Sequence, residues 1–119
     1  MTTIEVGARS EAIAVERLRA EGYAIVERNF RVKRAEVDVV AIDPEGVLCF
    51  VEVRSRADDR FGNAAESVNH KKRAKVTRGA LAYLTMRRPV FVEARFDVVA
   101  ITGEQVDLVR DAWRLDREL

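Results

Sequence analysis

The chain carries one cysteine, one histidine and two prolines in 119 residues. A lone Cys49 excludes an internal disulfide and every cysteine-based zinc site. It falls in an apolar run and reads as a core thiol. His70 finds no partner in the pattern and reads as a surface residue. No apolar run approaches the roughly 20 residues of a membrane-spanning helix, and Met1-Thr2-Thr3-Ile4 does not begin a signal peptide. A cytoplasmic protein with no membrane partner is therefore expected. Net charge is only +1, so the molecule as a whole is no polycation.

What the chain does have is 48% apolar and 34% charged residues, the composition of a soluble globular protein with a busy surface. Its length suits one domain around one core. The charge is unevenly spread. From Arg54 to Arg88 ten basic side chains stand against three acidic ones, a net of +7, and Arg28, Arg31, Lys33 and Arg34 form a second basic cluster. A basic middle of this kind is the expected footprint of nucleic acid, with solvated helix faces as the plainer alternative.

The densest β signal runs from Ala35 to Arg56. Two β-branched, aromatic and apolar arms flank Asp43-Pro44-Glu45-Gly46. Pro44 suits the first central position of a type I turn, and Gly46 supplies the left-handed residue that follows. This is the three-residue hairpin loop with a glycine bulge. It sets a register in which the numbers of paired residues sum to ninety. Ile42 then faces Leu48, Val40 faces Phe50, Asp38 faces Glu52 and Glu36 faces Arg54. Two carboxylates directly opposite each other destabilise a sheet, and here they would share a face with Val40, Phe50, Ile42 and Leu48. A cation, a shared proton or solvent has to compensate. A hard divalent metal, Mg²⁺ or Mn²⁺, is the compensation that also does chemistry.

Around this hairpin the pattern predicts a helix from Ile4 to Glu21 stopped by Gly22, with Gly7, Glu11, Ala14, Val15 and Leu18 on one face. Glu11 is anomalous on a face meant for the core: either an edge carboxylate paired with an arginine or a group turned toward the hairpin acids. Tyr23 to Phe30 reads as a strand, with Asn29 and the basic residues after it leading into the hairpin. Residues after Arg56 read as a loop, with a turn or hinge at Phe61-Gly62. Asn69 caps a helix from His70 to Arg87, ended by Pro89, with Ala74, Thr77, Ala80, Leu81 and Leu84 buried. Lys71, Lys72, Arg73 and Lys75 crowd its start against the macrodipole, a cost that phosphate would offset. Arg95 to Ile101 and Gln105 to Arg110 are strands, Asp97 is expected to pair with a nearby arginine, with an approach to the site as the alternative, and Asp111 to Leu119 is a polar tail anchored by Trp113. The strand-helix-strand order around the basic helix predicts parallel strands, hence an α/β protein with a mixed β-sheet flanked by helices.

G-A-R-S-E-A-I-A-V-E-R-L-R-A-E-G-Y, E-R-N-F-R, A-E-V-D-V-V, F-V-E-V-R-S-R, F-G-N-A-A-E-S-V and R-F-D-V-V-A-I resemble, in order and spacing, the small bacterial YraN-type proteins. That family is similar to archaeal Holliday-junction resolvases and to restriction-endonuclease-like nucleases. The resemblance implies a restriction-endonuclease-like fold and a Mg²⁺- or Mn²⁺-dependent endonuclease acting on branched or structured DNA, expected as a homodimer. It implies Glu11 as the helix carboxylate, Asp38 and Glu52 as metal ligands, and the carbonyl of Val53 as a further ligand. Arg54 and Lys72, or Lys71, would meet phosphate, and Arg56, Arg73 and Lys75 would grip the backbone. Glu36 would support the site from the A-E-V-D segment, where Ala35 replaces the family's glycine. Arg54 stands where the nuclease pattern has lysine. An arginine keeps its proton and cannot act as a general base, although its planar fork can clamp phosphate. A catalytically inactive nucleic-acid-binding module on the same scaffold is therefore the second reading, and a protein-interaction subunit the third.

Overall fold

The computed structural model describes residues 2–56 and 68–114. Helix α1 spans Thr3–Ala20 and helix α2 spans His70–Arg87. Five strands, β1 (Ala24–Val32), β2 (Ala35–Ile42), β3 (Leu48–Arg56), β4 (Ala94–Thr102) and β5 (Gln105–Trp113), form one sheet in sequential order. Every neighbouring pair is antiparallel except β3 and β4, which run parallel on either side of α2. A mixed five-stranded sheet with two helices agrees with the restriction-endonuclease-like architecture. The F-G-N-A-A-E-S segment and its Phe61-Gly62 turn lie outside the described residues.

Local chemistry accounts for most element ends. Thr2 Oγ1 accepts the N–H of Glu5 at the start of α1. At its end Gly22, at φ 89°, lets Tyr23 N–H reach Leu18 O and Gly22 N–H reach Arg19 O, which satisfies carbonyls a helix leaves orphaned. Asn69 caps α2 by accepting the N–H of Lys72. In the β2–β3 turn Gly46 sits at φ 88° and its N–H bonds Asp43 O, while Asp43 Oδ1 accepts the N–H groups of Glu45 and Val47.

The sheet separates two apolar layers. On one side α2 covers Val40, Phe50, Phe96 and Val98, with Tyr83 set edge-on against both Phe30 and Phe50. On the other, Ala14, Val15 and Leu18 of α1 cover Val39, Cys49, Val51 and Val99. Burial, followed by the charge of Asp97, pushes the Cys49 thiol up to about 12, so it is an unreactive core group. Asp97 is fully buried on the α1 side. It accepts hydrogen bonds from Tyr23 Oη, Arg95 and the N–H of Asp111, and Arg95 also holds Asp43 at 2.9 Å.

Four expectations are corrected. The buried face of α2 is Val76, Thr77, Ala80 and Tyr83, and Leu81 is exposed. The helix turns this way because Gly79 rests on the main chain of Glu36, where a Cβ would stand 2.9 Å from the carbonyl. β1 and β2 join through a tight turn at Lys33-Arg34, with Arg34 left-handed at φ 64°. β5 continues past Arg110 through a left-handed Asp111 to Trp113, which stacks on Phe96 at 4.7 Å, so 111–113 are strand and no tail. Ile42, counted with the core, lies on the surface.

Candidate functional site

The hairpin follows the ninety rule from Ile42↔Leu48 to Val39↔Val51 and stops there. The next row would pair Asp38 with Glu52. Instead the N–H of Val53 donates to Asp38 Oδ2 at 2.8 Å. On the other side of β2 the ladder runs Arg28↔Val39 and Phe30↔Val37, and Asn29 between them is left-handed at φ 54°. Alternation lapses across this row, since Val37 and Val40 belong to one core layer while Val39 and Ala41 belong to the other. Asp38 consequently does not simply share the face of Val40. It lines a cleft of about 650 Å³ beneath α1, together with Gly7, Ser10, Glu11, Asn29 and Ser55.

The acids still meet. Asp38 and Glu52 are both half-buried and hydrogen-bonded to each other through their carboxyl groups. Burial first, and then the charge and hydrogen bond of Asp38, push Glu52 up to about 9, with Lys72 pulling the other way. Burial also raises Asp38, opposed by the Val53 N–H and by the Glu52 hydrogen bond. Both shifts run the same way, so the pair retains a proton that isolated carboxylates would release at lower pH. A hard divalent ion suits the place of that proton, because two carboxylates plus water and phosphate oxygens complete its shell.

Glu11 stands one step away. Its Oε1 accepts Arg28 Nε at 2.8 Å and Asn29 Nδ2 at 3.0 Å, and its charge is among the influences that raise Asp38. Strand residues in succession normally point to opposite faces. The left-handed Asn29 is what lets two consecutive side chains reach one carboxylate. Among the described residues no group of three His, Cys, Asp or Glu side chains converges closely enough to hold a metal ion. Glu11 stands outside the Asp38–Glu52 pair.

The cations divide into engaged and available. Arg54 follows Glu52 by two residues on β3, and its Nε is buried with no hydrogen-bond partner among the described residues. Lys72, in the first turn of α2, lies close enough to lower the pKa of Glu52, and Lys71 beside it is exposed. Lys75 and Arg31 each lie 3.4 Å from Glu36, so the expected Glu36–Arg54 pairing is replaced, because the β2–β3 ladder has ended before that row. Arg56 Nε bonds Thr102 Oγ1 at 2.8 Å. Arg73 Nε bonds Val68 O at 2.9 Å, and its guanidinium lies over Trp113. Both therefore tie elements of the fold together. The arginine expected beside Glu11 is Arg28, and sequence reasoning passed over Asn29 as the second partner. The one available signal was an asparagine inside a strand, the residue type that tolerates the left-handed region.

A family model described as an uncharacterised protein family, UPF0102, matches residues 10–101. A UPF0102 protein of Chlorobaculum parvum is 42% identical over 102 residues, covering 86% of this chain and 78% of its own length. One of Persephonella marina is 39% identical over 110 residues, covering 92% and 94%. One of Halorhodospira halophila is 44% identical over 108 residues, covering 91% and 86%. Glu11, Asp38, Glu52, Arg54 and Lys72 all lie within the matched span. No helix among the described residues is long and apolar enough to cross a membrane.

Proposed function

The chain belongs to the uncharacterised protein family UPF0102, and we propose that it is a metal-dependent endonuclease that hydrolyses phosphodiesters in branched or structured DNA. The observation that carries this reading is the half-buried Asp38–Glu52 pair, with Asp38 held by the Val53 N–H, two residues from an arginine whose Nε has no hydrogen-bond partner among the described residues.

In this reading Asp38 and Glu52 hold Mg²⁺ or Mn²⁺ in place of their proton, with the Val53 carbonyl as a further ligand. The bound ion would lower the pKa of a water and neutralise charge on the phosphate. The Val53 N–H fixes Asp38, so one oxygen is oriented before any ligand arrives. Arg54 clamps the scissile phosphate through its planar fork, and Lys72 adds a second positive charge. Because arginine keeps its proton, proton acceptance falls to a carboxylate. Arg28 and Asn29 both occupy Glu11 Oε1, which leaves Oε2 as the acceptor for a proton from water. Lys71, Lys75, Arg56 and Arg73 extend the positive field along the backbone, so binding should be sensitive to salt. Symmetric cutting of a branched substrate needs two such sites, and the reading includes a homodimer.

Arg54 in place of a lysine favours one alternative, a binding module that kept the scaffold without turnover. Incubation with junction, flap and single-stranded DNA in Mg²⁺ or Mn²⁺ separates the two. Cleavage that vanishes in Asp38→Asn and Glu52→Gln establishes the nuclease. Salt-sensitive binding without cleavage establishes the module. No cleavage on any of these substrates, with no heat of Mn²⁺ binding in calorimetry, would overturn the metal site.

A further inference from the structure

The turn that joins β1 to β2 carries an arginine where the backbone favours glycine. Val32 pairs with Ala35, so the loop is Lys33-Arg34 alone, and Arg34 sits left-handed at φ 64°. Glycine or asparagine takes such a place at little steric cost. Helix α2 breaks a local rule as well. Lys71 and Lys75 stand four residues apart, both exposed, and like charges at that spacing destabilise a helix. Arg78 continues the exposed stripe three residues on. Local choices that work against the fold point to a function they serve.

The fold brings turn and stripe together. Arg78 Nη2 donates to Arg34 O at 3.4 Å, and Arg31 and Lys75 both lie 3.4 Å from Glu36. Gly79 pins α2 onto the main chain of Glu36, where a Cβ would stand 2.9 Å from the carbonyl. Arg31, Lys33, Arg34, Lys71, Lys75 and Arg78 are all exposed, and Glu36 is the acid set among them. Among the described residues the side chains of Lys33 and Arg34 make no ion pair or hydrogen bond. The cations are thus held in a fixed array by a helix and a tight turn. From Lys71 to Arg78 the array covers about 10 Å of helix, and each strand of a duplex offers a phosphate every ~3.4 Å along its axis. Two arrays fixed before they meet lose little freedom on docking, whereas a single strand would have to be ordered first.

We propose that the β1–β2 turn and the exposed stripe of α2 form a docking surface for the phosphate backbone of double-stranded nucleic acid. The inference goes beyond the nuclease reading, since the surface needs neither metal nor turnover. Lysine and arginine on phosphate fix position and carry no sequence information, so the docking is indifferent to base sequence.

The test uses the full chain in EDTA and follows fluorescence anisotropy of a labelled mixed-sequence DNA duplex across a salt series. Oligothymidylate of equal length and phosphatidylserine vesicles are the competing polyanions. Wild type is expected to bind the duplex more tightly than the single strand and to leave the vesicles in solution. Arg34→Gly removes the charge and relieves the backbone. Its affinity should fall about three- to tenfold and its slope of log K against log salt should flatten by about 0.9, while the melting temperature holds or rises. Lys33→Gln should weaken binding in the same way without touching the left-handed residue. Arg19→Gln, at an exposed position of the helix on the other face of the sheet, should keep the wild-type affinity and slope. Wild-type affinity and slope in both turn variants, or an equal loss in Arg19→Gln, overturns the surface. So does a wild type that ignores the duplex, or that prefers oligothymidylate or vesicles to it. The nuclease reading is judged by metal-dependent cleavage, so these results leave it standing, and an inactive protein would leave the docking surface standing in turn.

Discussion

The N–H of Val53 points at Asp38 Oδ2 from 2.8 Å, where an unbroken antiparallel ladder would have given it to a carbonyl. One side chain thereby replaces a rung of the sheet and holds its carboxylate beside Glu52. The arrangement makes the acid pair sensitive to protons and cations in ways that solution measurements can read.

Burial and then the charge of Asp38 push Glu52 up to about 9 from an ordinary value of 4.5, so the folded state keeps a proton that the unfolded state releases. Its contribution to stability is full below about 4.5 and is lost as pH rises toward about 9. Without divalent cation, thermal melting should fall across this window. The decline should flatten in Glu52→Gln, which keeps a hydrogen bond to Asp38 and cannot ionise. An equal slope in the variant would place the titration elsewhere.

A divalent ion that displaces the proton should oppose that decline. At about one hundred times its dissociation constant Mn²⁺ should add about 2.7 kcal/mol, measured by urea denaturation near pH 8. Asp38→Asn should abolish the increment while leaving the cation-free protein folded, since an amide oxygen still accepts the Val53 N–H.

Gly7 and Gly79 should answer alanine with opposite signs. Gly7→Ala should gain up to about 1 kcal/mol from helix propensity alone. Gly79→Ala has the same gain but drives a Cβ against the Glu36 carbonyl, and overpacking against backbone should leave it about 1–3 kcal/mol less stable. Denaturant midpoints of the two variants check this directly.

The buried group around Asp97 is structural, at the turn end of the sheet. Tyr23→Phe removes the hydroxyl that donates to Asp97 at 2.8 Å and should cost about 1–3 kcal/mol. Asp97→Ala leaves Arg95 with Asp43 alone as a carboxylate partner and takes the acceptor from Tyr23 Oη and the Asp111 N–H, and should cost about 3–5 kcal/mol. Neither should alter Mn²⁺ affinity per folded molecule.

Features set by adjacent residues were legible in the sequence. The Asp43–Gly46 turn, its register, the Gly22 stop and the Asn69 cap each depend on a few neighbouring side chains, and each stands where the pattern placed it. Features set across the chain were not. The lapse at Asp38 depends on Val53 and on a left-handed Asn29 two strands apart, and alternation alone carries no trace of it. Leu81 looked like core because periodicity cannot tell which of two overlapping apolar stripes meets the sheet. The contact of Gly79 with Glu36 decides that. The Lys33-Arg34 turn contains no glycine or asparagine to announce it. Of the site, the nearness of the two acids followed from turn geometry, but their expected pairing across the ladder gave way to the Val53 N–H on Asp38, and the Arg28–Asn29 hold on Glu11 required the fold.

The outer strands β1 and β5 are each broken in the same way. β1 shifts register between Ile25 and Glu27 and turns left-handed at Asn29. β5 turns left-handed at Asp111, where its pairing with β4 shifts between Phe96 and Val98. A bent border is a poor template for a sixth strand. Two copies of this chain would consequently be hindered from merging their sheets into one, and a two-site assembly would have to be built through helix faces or sheet ends, leaving each acid pair at its own separate opening.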